Sequence, residues 1–275
     1  MTRIRIEIGG ETVSADLSAP LDLSIPLAFD GPQPNCFGAP RATRETLTVG
    51  DWKGDTRQGG SCNVGVYRLV PHCNGTHTEC IGHVSDDETF AADIVRGGLF
   101  PATLISVTPQ PFAQCDETGT EGTQPGDLVI TRATLAMAFE RFPKVAMRKA
   151  LAIRTLPNDP AKRTHQYDAA TPPAYLSVEA ASLLVENGVE HLLVDVPSID
   201  RMDDGGRLRA HRVFFGLPED ERRVALATRA HCSVTELIYA ADEIEDGYYL
   251  LDLQLPSFLT DAAPSRPLLY KVNDE

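Results

Sequence analysis

The chain has 275 residues, of which 42% are hydrophobic and 23% charged, and its formal net charge is −14. A chain of this length and composition can bury a core of its own. The acidic balance argues against nucleic acid or an anionic membrane as a partner, because both bind basic surfaces. There is no secretory signal at the N-terminus and no apolar run long enough for a membrane span. We therefore expect a cytoplasmic protein with one domain over residues 1–275.

The first half of the chain favours strands. Apolar residues alternate on both sides of Gly9-Gly10, which predicts an opening hairpin. Further strands are expected at residues 61–70, 101–108, 128–130 and 150–156. Thr131 has the side chain of a helix N-cap and predicts a helix that continues to Phe142.

The second half contains the clearest helix, over residues 177–187. Ser177 is its predicted N-cap, and Gly188 ends it. A buried strand is expected at 191–196, and two more at 248–253 and 267–272. Together these elements predict an α/β fold with many strands and few helices.

One short segment is dense in side chains that bind metals. They are His72, Cys73, His77, Glu79, Cys80 and His83. Pro71, Gly75 and Gly82 make a helix improbable, and successive side chains of an extended chain alternate between two faces. Extended chain therefore predicts that Cys73, His77, Glu79 and His83 share one face and that His72 faces away.

Three other interpretations of this segment are possible. A structural zinc site of Cys73, His77, Cys80 and His83 is disfavoured, because such sites separate their ligand pairs by about a dozen residues. Buried core histidines and thiols are the default for any one residue, but less so for a cluster. A Cys/His nucleophilic pair leaves Glu79 without a role. A metal site that activates water is the preferred hypothesis.

The segment resembles the signature of the cyclase family of metal-dependent hydrolases, His-x-Gly-Thr-His-x-Asp-x-Pro-x-His. Gly75-Thr76-His77 and His83 match, whereas Cys73, Glu79 and Ile81 replace a histidine, an aspartate and a proline. Weaker matches follow the family pattern elsewhere in the chain, at residues 15–18, 193–200, 210–212, 235–237 and 264–267.

The resemblance implies a swivelling β/β/α single domain with a mixed sheet core and few helices. It also implies a homodimer or homotetramer that binds zinc or manganese. The implied activity is hydrolysis of an amide-type C–N bond in a small molecule, such as an N-formyl amide like N-formylkynurenine, or a cyclic amide. The alternative is a non-catalytic protein of the same fold that binds a metal or another ligand.

Site residues are carried over position by position. The implied metal ligands are Cys73, His77, Glu79, His211 and Glu236, and the implied general acid/base is His83. His231 competes with His211 because it lies nearer to Glu236 in the sequence. A thiolate from Cys73 would favour zinc over manganese, since thiolate is a soft donor.

Overall fold

The computed structural model describes residues 2–274. Its helices over these residues are α1 (Pro71–Asn74), α2 (Ala91–Ile94), α3 (Arg132–Arg141), α4 (Val178–Glu186) and α5 (Arg209–Phe215). Its strands are β1 (Arg3–Ile8), β2 (Glu11–Asp16), β3 (Leu21–Asp22), β4 (Thr43–Thr46), β5 (Thr48–Val49), β6 (Trp52–Lys53), β7 (Gly65–Arg68), β8 (His77–Glu79), β9 (Leu99–Val107), β10 (Gln110–Pro111), β11 (Leu128–Ile130), β12 (Ala150–Thr155), β13 (Tyr175–Leu176), β14 (His191–Val194), β15 (Ser233–Glu236), β16 (Gly247–Asp252), β17 (Ala262–Pro264) and β18 (Leu268–Asp274).

A large mixed sheet organises the molecule. Its strands follow the order β1-β2-β18-β16-β9-β12-β14-β15-β8-β17, and β3 adds to β18. The four central strands β9, β12, β14 and β15 are parallel, and the strands on both sides of them pair antiparallel. The expected α/β fold, with a mixed sheet core and few helices, is confirmed.

The central strands are covered on both faces. Every residue of β12 and β14 is buried, which explains why these segments read as continuous apolar runs and not as alternating ones. Helices α3, α4 and α5 contribute to the core cluster on one face. None of the helices within residues 2–274 combines the length and the apolar character that a bilayer crossing needs.

The predicted caps and the predicted hairpin are confirmed. The Thr131 side chain accepts a hydrogen bond from Thr134 N at the start of α3, and Ser177 accepts one from Ala180 N at the start of α4. Strands β1 and β2 pair antiparallel around Gly9 and Gly10, whose φ angles of 61° and 86° suit glycine. The strand predicted at 61–70 is shorter than expected, since it covers only Gly65–Arg68, and it pairs with β4 outside the main sheet.

The prediction of extended chain over the metal-binding segment was wrong at both ends. Only β8 is extended; α1 precedes it, and a 3-10 helix, Ile81–Val84, follows. Pro71 occupies the first turn of α1, where its missing N–H costs nothing. The Asn74 side chain closes the turn by accepting a hydrogen bond from Val70 N at 2.6 Å. Alternation therefore governs β8 alone.

Candidate metal centre

Strands β8 and β15 supply the buried half of the site. His77 lies opposite Glu236 in the antiparallel register, and Glu79 lies two residues further along β8, on the same face. His77 and Glu79 are fully buried, and Glu236 is nearly so. Thr78 points to the other face, where its hydroxyl contacts that of Thr235 at 2.7 Å. Two carboxylates and an imidazole are thus brought together inside the protein.

The ring of His77 has one free nitrogen. Its Nδ1 donates to the carbonyl oxygen of Gly75 at 3.0 Å, so Nε2 carries the lone pair. That Nε2 lies 3.4 Å from Glu236 Oε2 and has no hydrogen-bond partner. A hydrogen bond from the ring nitrogen that does not bind the metal is how proteins fix the tautomer of a metal-binding histidine.

His211 is held in the same manner from α5. Asp200 accepts hydrogen bonds from Ala210 N at 2.7 Å, from His211 N at 3.1 Å and from His211 Nδ1 at 2.6 Å. The other ring nitrogen, Nε2, lies 2.6 Å from Glu79 Oε1 and 3.6 Å from Glu236 Oε1. Burial alone would lower the pKa of His211, but Glu79, Asp200 and Glu236 raise it well above the usual value.

The turn at residues 197–200 positions two site residues at once. Ile199 N donates to Glu236 Oε1 at 2.8 Å, while Asp200 holds His211. Burial and the neighbouring Glu79 would raise the pKa of Glu236, but His211 and His77 hold it below its usual value. His231, the alternative to His211, is exposed and lies outside the clusters of ligand atoms described below.

His72 lies in the site, which corrects the prediction that it faces away. Its Nε2 contacts Asp261 Oδ2 at 3.0 Å, and its Nδ1 lies 2.9 Å from Glu79 Oε2. The cause is α1, since a helical turn does not follow the alternation of extended chain. Burial would lower the pKa of His72, but Asp261 and Glu79 outweigh it and raise the pKa to about 10.

His83 occupies the more open side of the cluster. Its Nδ1 lies 3.8 Å from Glu79 Oε2 and 3.7 Å from Asp261 Oδ2, both beyond hydrogen-bonding distance. Its ring centroid is 4.4 Å from that of His72 and 5.4 Å from that of His211. The side chain is 27% exposed. His83 therefore sits between the buried carboxylates and solvent.

Cys73 is buried beside Cys36. The thiol of Cys36 donates to the carbonyl oxygens of His72 at 3.5 Å and of Cys73 at 3.7 Å. A hydrogen bond from Cys36, assisted by His72 and His77 against the effect of burial, lowers the pKa of Cys73 to about 7. Among residues 2–274, Cys73 is in none of the groups whose ligand atoms lie close together. Its role as a ligand stays a prediction.

The side chains fit a divalent cation. Ligand atoms lie within 4.8 Å of one another in three overlapping groups, namely His72, His77 and Glu79; Glu79, His83 and His211; and His72, His83 and Asp261. Two buried atoms of these groups, His77 Nε2 and Glu79 Oε2, have no hydrogen-bond partner. Buried carboxylates need compensating charge, and imidazole with carboxylate is a donor set suited to zinc and to manganese.

Sequence reasoning missed His72, Asp261 and the orienting role of Asp200. The position of His72 next to the signature indicated that it could belong to the site. The assumption of extended chain, however, placed its side chain on the opposite face. Asp200 was visible only as part of the 193–200 block. Asp261 lies 189 positions from His72, and no motif connects the two.

The sequence of this chain is similar to those of known proteins. The family model described as putative cyclase matches residues 15–201. Kynurenine formamidase from Bacillus cereus is 26% identical over 225 residues, which cover 78% of this chain and 87% of the relative. Kynurenine formamidase from Bacillus cytotoxicus is 23% identical over 234 residues, with coverage of 80% and 91%.

Solved structures share the fold. Isatin hydrolase A from Labrenzia aggregata, bound to benzyl benzoate, superposes with a TM-score of 0.60 at 14% identity, covering 92% of this chain and 93% of that one. A predicted metal-dependent hydrolase from Bacillus stearothermophilus superposes with a TM-score of 0.56 at 16% identity, covering 92% and 98%. At these identities the structures establish the fold alone.

Proposed function

Because this chain belongs to the cyclase family, we propose that it is a metal-dependent hydrolase that cleaves an amide-type C–N bond in a small molecule. The proposed substrates are N-formyl amides such as N-formylkynurenine, or cyclic amides. Two kynurenine formamidases that align over most of this chain support the first class. An isatin hydrolase of the same fold supports the second.

One observation carries the proposal. His72, His77 and His211 each direct one ring nitrogen to an outer acceptor and the other toward a buried carboxylate. The outer acceptors are Asp261, the Gly75 carbonyl and Asp200. Imidazoles oriented in this way around Glu79 and Glu236 are the arrangement that metal hydrolases use.

The proposed ligands are His77, Glu79, His211 and Glu236, with a further one from α1, which presents both Cys73 and His72. A bound zinc or manganese ion would polarise an amide carbonyl and make a nearby water more acidic. Glu79 extends one oxygen toward His211 and the other toward His72, so it can serve ligand groups on both sides of it. We propose zinc as the resident ion and manganese as the alternative.

His83 is the proposed general acid/base. It is the most exposed of the four histidines of the cluster, and no hydrogen bond within 3.5 Å ties its Nδ1 to Glu79 or Asp261. An imidazole that is partly exposed to solvent and is not tied to a carboxylate can accept a proton from water and deliver it to a leaving nitrogen. The same position would let it exchange that proton with bulk solvent after each turnover.

The test begins with metal content and hydrolysis measured on the same preparation. We expect about one or two zinc ions per chain and release of formate from N-formylkynurenine, or ring opening of isatin. Removal of the metal by a chelator should abolish hydrolysis, and added zinc should restore it. Metal-bound protein without activity on formyl amides, cyclic amides or activated esters would favour the non-catalytic binding protein.

A further inference from the structure

We propose that His72, held by Asp261, is the ligand at the position where the family signature has its first histidine, and that Cys73 is not a ligand. This inference rests on the proposed function. In the signature, Cys73 aligns with that histidine and His72 is one residue out of register. The structure nevertheless groups His72 with His77 and Glu79, all ligand atoms within 4.8 Å of one another.

The hydrogen bonds of His72 direct its Nδ1 toward a cation. Its Nε2 contacts the carboxylate of Asp261 at 3.0 Å, and a carboxylate can only accept, so Nε2 carries a hydrogen. Whenever the ring is neutral, as it must be to bind a metal, Nδ1 presents a lone pair to Glu79 Oε2, 2.9 Å away. That oxygen is buried and has no aligned hydrogen bond. Two lone pairs at this distance repel each other unless a proton or a metal ion compensates them.

Asp261 is placed firmly enough to orient His72. Its backbone oxygen accepts a hydrogen bond from Cys80 N at 3.0 Å, just beyond the end of β8. The next residue, Ala262, begins β17 and pairs with Glu79 in the antiparallel register. The carboxylate that holds His72 is therefore fixed to the strand that carries Glu79. A carboxylate behind a metal-binding imidazole sets its orientation and raises its basicity.

Cys73 lies beside a second thiol, that of Cys36, which is fully buried. The Cys36 thiol also contacts the carbonyl oxygens of residues 72 and 73, so the pair is packed against the backbone of α1. Within residues 2–274 no carboxylate or imidazole atom forms a compact three-residue group with Cys73 Sγ.

His72 lies one residue before the position of the first histidine in the signature, and the helical turn α1 compensates for this offset. α1 brings the residue before Cys73 to the cluster, and the donor at this position is nitrogen and not sulfur. The consequence is a centre made only of nitrogen and oxygen donors, which does not carry the bias toward soft ions that a thiolate would introduce.

Cobalt(II) distinguishes the two donors directly. A thiolate ligand gives cobalt an intense near-ultraviolet charge-transfer band, and imidazole and carboxylate ligands do not. The probe is the metal alone, added to chelator-treated protein, and the readouts are the absorption spectrum and the cobalt dissociation constant. We expect no thiolate band in the parent protein and, for Cys73→Ser, an unchanged spectrum with affinity within about 3-fold.

The variants of the proposed pair should behave differently. His72→Ala should weaken cobalt binding by more than about 100-fold, and Asp261→Asn by about 10-fold, since outer partners of ligands contribute 10–100-fold. His231→Ala, which removes an exposed histidine, is the matched control and should change neither readout. Circular dichroism of each metal-free variant checks the fold, and Asp261→Asn keeps the test decisive if His72→Ala does not fold.

The possible failures are separable. A thiolate band in the parent protein that disappears in Cys73→Ser would overturn this inference and leave the proposed function intact. Unchanged cobalt affinity in both His72→Ala and Asp261→Asn would do the same. A folded parent protein that binds neither cobalt nor zinc would overturn the proposed function, and this inference with it.

Discussion

The two halves of the candidate metal centre are built in different ways. His77, Glu79 and Glu236 lie on paired strands, and each is almost completely buried. On the other half, His72 and Asp261 come from a helical turn and from the residue before a short strand, and they retain 24% and 41% of their side-chain exposure. The strand half is part of the core, whereas the turn half is partly exposed to solvent.

This difference separates two tasks of one site. Buried carboxylates and imidazoles are costly without a cation, so the strand half gains most from binding one. Partly exposed histidines can exchange protons with solvent and substrate at little cost. Substitutions in the strand half should therefore reduce metal affinity the most, and those in the turn half should reduce it less or should lower turnover.

The largest effect is expected from the strand half. His77→Ala should reduce zinc content to the level of chelator-treated protein and abolish hydrolysis, because it removes a fully buried ligand whose tautomer is already fixed. Zinc per chain, measured by elemental analysis, checks this. His231→Ala is the control. If His77→Ala retained zinc and activity, the strand half would not be the metal-binding half.

His83→Ala should separate turnover from metal binding. Its imidazole lies beyond hydrogen-bonding distance of Glu79 and Asp261, so its removal should leave zinc content near that of the parent. Turnover should fall by roughly 10²–10⁴-fold, the usual contribution of a general acid/base. Steady-state kinetics on the substrate found by screening gives the value. Loss of zinc would show that His83 is a ligand, and the division between metal binding and proton transfer would then be wrong.

The two outer carboxylates allow a quantitative comparison. Asp200 is buried and accepts three hydrogen bonds at the start of α5, whereas Asp261 is half-exposed. Asp200→Asn should weaken zinc binding by about 100-fold, and Asp261→Asn by about 10-fold, because the charge is screened less inside the protein. Competition with a chromophoric chelator measures both. Equal losses of zinc affinity in the two variants would show that the difference in burial between Asp200 and Asp261 does not determine their effect on metal binding.

His191 is a buried histidine outside the centre, and it should show the smallest effect. Burial is the main cause that lowers its pKa to about 4. The folded pKa lies below the unfolded value of about 6.5, so the unfolded chain binds more protons in between, and stability is lost as pH falls from about 6.5 to 4. We expect a loss of about 2 kcal/mol over this window.

Urea denaturation at pH 7 and at pH 4.5 tests this, with His191→Gln as the comparison. The variant should be less stable than the parent at pH 7, since Ser233 loses a hydrogen-bond partner. Its stability should nevertheless depend less on pH. An equal pH dependence in both proteins would exclude His191 as the source and point to the histidines of the centre.

Sequence periodicity predicted the parts of the molecule that depend on local rules. Strands β12 and β14 and helix α4 were found because apolar runs, an N-cap serine and a terminal glycine are readable within a few residues. For the same reason, alternation placed His77 and Glu79 correctly on one face. Helix α5 was missed, because it begins after Leu208 in the left-handed region, without a side-chain cap.

The rest of the site depends on contacts that no local rule contains. Whether His72 or Cys73 approaches Glu79 is decided by one turn of helix, which Asn74 closes through Val70 N. The signature predicted Cys73 from this turn and left His72 out of register, whereas the ring of His72 is the one that lies 2.9 Å from Glu79. The resemblance to the cyclase family supplied His211 and Glu236, since spacing alone could not connect them to residues 72–83.

Both strands that pair with β8 lie far downstream in the sequence, and this affects when the centre can assemble. One neighbour, β15, pairs with it from 157 positions downstream, as in the contact between Thr78 and Thr235. The other, β17, brings Asp261 against His72 across 189 positions. β8 can therefore pair with neither neighbour until residues 233–236 and 262–264 have been synthesised. The donor atoms of the centre come together only after both of these distant segments have joined the sheet.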